Sequence, residues 1–367
     1  MNMLKKLLFV AAMLLVLGMN DIYAQRIQVV DTDGQPIAYV CVTNANGALV
    51  GSTDSDGWIE DVKGASVLSL SHVAFQDKSV RLDEVLDGKI VMEEVDFTLP
   101  DVEVKPKELA YVQTYFRLIY LDEEGPIYYR GGVVDNTYEF AKKKASSKTR
   151  SLSKGANGLI RFLLSSLVGG RIDKLGQMHE TSTYKDILEY EEKGKVTLTD
   201  ESPDRRIVSD SICTLGYIDV DKEAGTRTTS FDKWTFREHI KAAEDRAKGK
   251  KMKKEEVEEN ETGEDSFYEV YRIDSEGRSR IDDFVMRQLQ VGGTFKRTKK
   301  QYMILMQAYA TERDYIDKKD YKALRKENKV DMDIKELRQY EKAHNIPPLA
   351  PNVQAQVDKL FEKELAH

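Results

Sequence analysis

Between Arg26 and Val104 the chain turns back on itself roughly every eight to twelve residues, the rhythm of short antiparallel strands. Ile27 and Val29 lead into Asp31-Thr32-Asp33-Gly34-Gln35-Pro36. Asp side chains favour local hydrogen bonds there, Gly accepts positive φ, and Pro36 sets φ for the run that follows. Tyr39 to Val42 extends, Asn44 to Gly47 turns, Leu49 to Thr53 extends, and Asp54-Ser55-Asp56-Gly57 turns again. Trp58 and Ile59 open another strand, Lys63-Gly64 turns, and Val67 to Val73 alternates. These segments predict an antiparallel β-sandwich over residues 25–105.

Ahead of it, Lys5 and Lys6 precede an apolar run from Leu7 to Leu17, which Gly18 breaks. Ile22-Tyr23-Ala24 then offers a cleavage site before Gln25. This pattern predicts a secretory signal over residues 1–24, too short in its apolar run to span a bilayer. The expected location is the periplasm or the outer-membrane periphery, with no transmembrane span in the mature chain. No cysteine sits at the cleavage site, so no lipid anchor is expected. The two cysteines, Cys41 and Cys213, are too few for a disulfide scaffold, and a bridge between two expected domains is not the favoured reading.

The phrases GQPIAYVCV, GSTDSDGWI, LSLSHVAFQDKSV and LPDVEV follow one another in an order that resembles the carboxypeptidase-like regulatory domain. That family is common in envelope proteins of Bacteroidetes-type bacteria. Val40 and Ala74 depart from its usual Ala and Gly, which are packing differences. The resemblance covers about eighty residues. It implies a transthyretin-like sandwich without catalytic residues, and it implies no peptidase activity.

A chain of 367 residues fits two domains, so residues 106–367 are expected to form a second one. Lys105-Pro106-Lys107 reads as a linker. Val112 to Leu121 and Ile127 to Phe140 flank a turn at Asp122–Pro126 and read as a hairpin, a helix over Glu108–Tyr120 being the alternative. Residues 141–154 are basic and read as solvated loop, contact with anionic lipid being the alternative. Asn157 then caps an apolar helix over 158–168, ending at Gly169-Gly170. Tyr184–Tyr190, Lys195–Thr199 and Arg206–Val220 read as strands, Phe231–Phe236 as an aromatic stretch, and the residues to Lys248 as helix. Basic residues at 246–254 and acidic ones at 255–265 predict a solvated, mobile insertion. Phe267 to Val291 reads as a second hairpin through Ser275-Glu276-Gly277, and Gln301–Tyr315 as a further strand. From Asp317 the pattern becomes helical, stops at Pro347-Pro348, and resumes in a helix capped by Asn352. The fold class expected is mainly β or α+β: a sandwich, then an antiparallel-sheet domain with a covering helix and a helical C-terminal tail.

Chemistry is sparse. His179-Glu180 lacks the second histidine of a zincin helix, because Thr183 holds that position. Asp54-x-Asp56-Gly57 begins like a calcium loop, but the twelfth position is Ala65. No nucleophile elbow or phosphate-cradling glycine loop occurs, and Gly131-Gly132 and Gly292-Gly293 read as bulges or bends. Asp282-Asp283 reads as a strand pair facing opposite ways, and His72 as a structural histidine. No catalytic residue, metal or cofactor is expected. Tyr128, Tyr129, Arg130 and Tyr138 are the candidates for a ligand or partner groove, since Tyr and Arg contribute binding energy well. The net charge of −7 argues against a nucleic-acid partner. The sequence therefore suggests an exported, non-enzymatic envelope protein whose sandwich is an interaction module and whose second domain binds a partner or ligand. A periplasmic carrier of a lipid or other apolar ligand in a curved-sheet groove is the alternative, and a hydrolase a third reading that no motif supports.

Overall fold

The computed structural model describes residues 26–95 apart from 61, 63, 64 and 86, then 97, 107–155, 176–177, 183–247, 263–294, 299–327 and 332–365. The expected signal over 1–24, the covering helix over 158–168 and most of the linker and the charged insertion lie outside these residues.

Seven short strands form the sandwich. β4 (Trp58–Ile59), β1 (Ile27–Val30) and β7 (Lys89–Val91) make one sheet. β3 (Leu49–Ser52), β2 (Cys41–Asn44), β5 (Val67–His72) and β6 (Phe75–Arg81) make the other. One pair departs from the antiparallel expectation, because β1 and β7 run parallel. The turns use the chemistry read from the sequence: Asp54 Oδ1 accepts from the N–H groups of Asp56 and Trp58 at 2.9 and 2.8 Å. At Gly57, φ is +74° and a Cβ would lie 2.6 Å from the Val29 carbonyl oxygen, so only glycine fits. His72 is buried, and burial pushes its pKa down to about 3, which keeps it neutral.

Beyond the sandwich, the described residues build one antiparallel sheet of ten strands. They are β8 (Leu109–Asp122), β9 (Gly125–Glu139), β10 (Lys144–Gly155), β11 (Thr197–Ser202), β12 (Arg205–Ser209), β13 (Thr214–Asp221), β14 (Thr226–Asp232), β15 (Gly263–Arg272), β16 (Phe284–Thr294) and β17 (Gln301–Ile316). Their order is β10-β9-β8-β17-β16-β15-β14-β13-β12-β11, so every neighbour is consecutive in the chain except β17 beside β8. The hairpins expected at 112–140 and from Phe267 are present, and Glu108–Tyr120 is not helical. The basic residues of 144–152 are not loop but edge strand. Lysines along an open edge discourage pairing with another chain.

Several local expectations change. Tyr184–Tyr190 belongs to helix α1 (Thr183–Glu192), since Tyr184, Ile187 and Tyr190 recur at helical spacing and Ile187 packs inward. α2 (Lys233–Ala247) follows β14, and Phe236 packs on Phe231. α3 (Lys318–Glu327), α4 (Ile334–Ala343), α5 (Pro351–Leu360) and α6 (Glu362–Leu365) form the tail. Asn352 does not cap α5, which starts at Ala350 with Pro351 in its first position. The Asn352 amide instead donates to the Asn44 carbonyl at 2.6 Å, tying the tail to the sandwich. Asp282 and Asp283 lie on a 3-10 turn rather than a strand, and one nitrogen of Arg313 reaches both carboxylates, at 3.1 and 2.5 Å.

The sandwich rests on one face of the large sheet, and a single apolar core runs through both, from Val42 and Leu70 to Leu305, Tyr309 and Val357. Arg117, Gln307, Gln288 and Tyr268 stand opposite one another on neighbouring strands and form a polar row at that contact. Arg117 Nε donates to Gln307 Oε1 at 2.7 Å, and Gln307 Nε2 donates to Gln288 Oε1 at 2.9 Å. Gln288 Oε1 also accepts from Val73 N, and the amides of Gln288 and Gln290 both donate to the Tyr39 carbonyl, at 2.8 and 2.7 Å. Arg117 Nη1 donates to Pro347 O in the tail.

Neither glycine pair is a bulge, since both pair in register with their neighbours. Gly132 is needed because a Cβ would lie 2.2 Å from the Arg150 carbonyl oxygen on β10, a backbone atom that cannot move alone. At Gly131 the nearest atoms are the far ends of Leu337 and Tyr129. Gly132→Ala is therefore expected to cost about 2–3 kcal/mol, and Gly131→Ala clearly less, read as shifts of the urea midpoint.

Candidate functional site

Where the sandwich leaves the sheet, a cleft of about 700 Å³ opens over β12–β16. A register row crosses it from a charged to an apolar part: Arg205 faces Asp219, Asp219 faces Thr228, Thr228 faces Val270, and Val270 faces Met286. Residues two apart on a strand share a face, so Thr226, Thr228 and Ser230 all line the cleft from β14. Their small side chains leave the space that longer ones would fill. From the sandwich come the turn at Asp31–Ala38, Ala74 and Phe75, and the segment carrying Glu94, Val95 and Phe97.

Three contacts fasten the sandwich beside the cleft. The Tyr39 hydroxyl donates to Leu215 O at 3.2 Å, Tyr217 donates to Asp56 Oδ1 at 2.6 Å, and Arg205 Nη1 meets Gln35 Oε1 at 3.4 Å. Tyr39 holds a left-handed backbone, φ 60°, a conformation non-glycine residues keep only when their surroundings enforce it.

The cleft is apolar at its base and acidic at its rim. Phe75, Phe97, Tyr268, Val270 and Met286 supply the apolar surface, Asp31, Glu94, Asp219 and Asp221 the carboxylates, and Arg205 and Arg272 the cations. Arg205 is engaged with Glu201 at 3.0 Å and Asp219 at 3.6 Å, and stacks over Tyr217 at 4.1 Å. Burial, then Asp31, Asp221 and Asp33, push the Glu94 carboxyl above its ordinary range. Burial also raises Asp219, against the pull of Arg205 and with the push of Glu201 and Asp31. Four carboxylates against two arginines leave the lining with a net negative charge, which favours a cation there.

The four residues nominated from the sequence do not form this site. Tyr129 is buried under the tail, edge-on to Phe361 at 5.8 Å and with its hydroxyl 3.4 Å from that of Tyr115. Tyr128, Arg130 and Tyr138 alternate with it and point to the other face of β9. There Arg130 lies over the Phe116 ring at 5.9 Å, and Tyr138 packs on Phe140 at 5.7 Å. The cleft residues escaped the sequence reading because each is unremarkable alone. The usable signal was the alternation of Thr226, Thr228 and Ser230 with Arg227, Thr229 and Phe231. No family model and no curated protein matches the chain, so the site is read from its own residues. Among the described residues, no helix is long and apolar enough to cross a membrane.

The raised carboxyls fix a pH dependence. Ordinary values are 3.8 for Asp219 and 4.5 for Glu94, and folding lifts both, so the folded chain holds their protons more tightly than the unfolded one. Their contribution to stability is full below about pH 4 and is lost as pH rises through the folded values. Asp219→Asn and Glu94→Gln are each expected to raise stability at pH 7 by up to about 1 kcal/mol after solvent screening, and to leave it nearly unchanged at pH 4. Thermal melts at the two pH values check this.

Proposed function

We propose that the protein is an exported, non-enzymatic cell-envelope protein whose cleft between sandwich and sheet binds a cationic, amphipathic segment of a partner protein. The observation that carries this reading is the pairing of an apolar floor with four carboxylates, Asp31, Glu94, Asp219 and Asp221, which outnumber the two arginines of the lining, Arg205 and Arg272. A Lys or Arg side chain would answer the rim while neighbouring apolar side chains fill the base. The volume of about 700 Å³ suits a few side chains or a small ligand. The sandwich then acts as an interaction module by forming one wall, which fits its resemblance to a non-catalytic regulatory domain. The leader read at residues 1–24 supports the envelope location.

An acidic rim disfavours the head groups of anionic lipids, which sets this reading apart from a lipid carrier. The test is fluorescence anisotropy with a labelled peptide alternating Lys with Leu and Phe, against the same peptide with Glu for Lys. The basic peptide is expected to bind, more weakly as salt rises, and the double variant Asp219→Asn, Glu94→Gln to weaken it about three- to tenfold. Equal binding of the acidic peptide, or an unchanged affinity in the double variant, would sink the proposal. A lipid recovered from organic extracts of the purified protein would favour the carrier instead.

A further inference from the structure

Outside the cleft, the hairpin between β12 and β13 meets α2, and three metal-binding side chains converge there. We propose that Asp210, Cys213 and His239 form a site for a divalent transition-metal ion, zinc above all, that clasps α2 to this hairpin. One donor atom from each of the three lies within 4.8 Å of the others. Carboxylate oxygen, thiolate sulfur and imidazole nitrogen are the donors that zinc takes together, and three protein ligands leave a fourth position for water.

The hairpin holds its ligands ready. Asp210 Oδ1 accepts from the N–H groups of Ile212 and Cys213 at 2.8 and 3.0 Å, and the Asp210 N–H closes the turn onto the Cys213 carbonyl at 3.1 Å. The carboxylate is thereby fixed with its second oxygen, Oδ2, turned to His239 Nδ1 at 2.5 Å. Ligand orientation by such surrounding hydrogen bonds is the usual support of a metal centre. His239 stands on α2, whose start is set by Asp232: its carboxylate accepts from the Thr235 N–H at 2.9 Å and hydroxyl at 2.7 Å.

Cys213 is exposed, so an ion and its water reach it without rearrangement of the fold. Ligands on a zinc ion at about 2.0–2.3 Å sit roughly 3.3–3.8 Å apart. The ion therefore takes the place between Asp210 and His239, whose neutral imidazole then carries its hydrogen on Nε2, and opens that pair by about 1 Å, a small rotation for a side chain at the surface. Binding releases the thiol proton to solvent, since the thiolate is the ligand.

The test is titration of the full chain, with thiols kept reduced, by Co²⁺ alone. One equivalent is expected to bind, to give a thiolate-to-cobalt charge-transfer band in the near ultraviolet, and to be displaced by Zn²⁺. Cys213→Ala is expected to remove the band, and His239→Ala to weaken binding at least tenfold. Because His239 sits on a helix, His239→Gln serves as a second variant of similar size, and circular dichroism confirms that each variant folds. Absence of the charge-transfer band at excess Co²⁺, or a band that survives Cys213→Ala, would overturn the assignment. So would unchanged affinity in folded His239→Gln, which would place the ion elsewhere.

Discussion

The Tyr39 carbonyl, held by the amides of both Gln288 and Gln290, is the contact on which the rest of the structure depends. Gln288, Gln290, Gln307 and Arg117 are buried polar side chains on the sheet face that the sandwich covers. A buried polar group left without a partner costs about 1–3 kcal/mol. Gln307 is satisfied within the row by Arg117 and Gln288, and the others reach outside the sheet: to Tyr39 O and Val73 N in the sandwich, and to Pro347 O in the tail. Lifting off the sandwich would strand the Gln288 and Gln290 amides together, and lifting off the tail would strand Arg117 Nη1. The row therefore sets the register of the sandwich on the sheet as well as holding it there.

The same contact explains where the cleft lies. The row through Tyr268, Gln288 and Gln307 is filled by the sandwich. Beyond it, the row through Thr228, Val270 and Met286 is left open, because the sandwich has already turned away at Ile37 and Phe75. Asp77, on the sandwich side, belongs to this junction too. Burial raises its carboxyl to about 7, while Arg117, Ser71 and the Ala350 backbone draw it down.

Much of the fold was legible. The Asp-Gly turns of the sandwich, the hairpin at Asp122–Pro126 and the strand at Gln301–Tyr315 follow from local chemistry, which acts over a few residues whatever the rest of the chain does. Reading failed where partners lie far apart in sequence. Gln307 looked like one polar residue in an apolar strand, and its meaning comes from Gln288 and Arg117. Tyr128, Tyr129, Arg130 and Tyr138 looked like one groove, but strand alternation splits them between two faces and the tail fills the space over Tyr129. Cys213 and His239 are separated by two strands, and only the sheet order brings α2 back over the hairpin.

The central claim is that sandwich and sheet are one cooperative unit because they share that buried polar row. The chain has two tryptophans, one on each side of the contact: Trp58 in the sandwich and Trp234 on the helix that packs against the sheet. Urea unfolding of Trp58→Phe and Trp234→Phe, each followed by the remaining tryptophan and by circular dichroism, tests the claim most directly. Coincident transitions within each variant are the predicted result. A sandwich signal that melts apart from the sheet signal would show two independent domains and contradict the account.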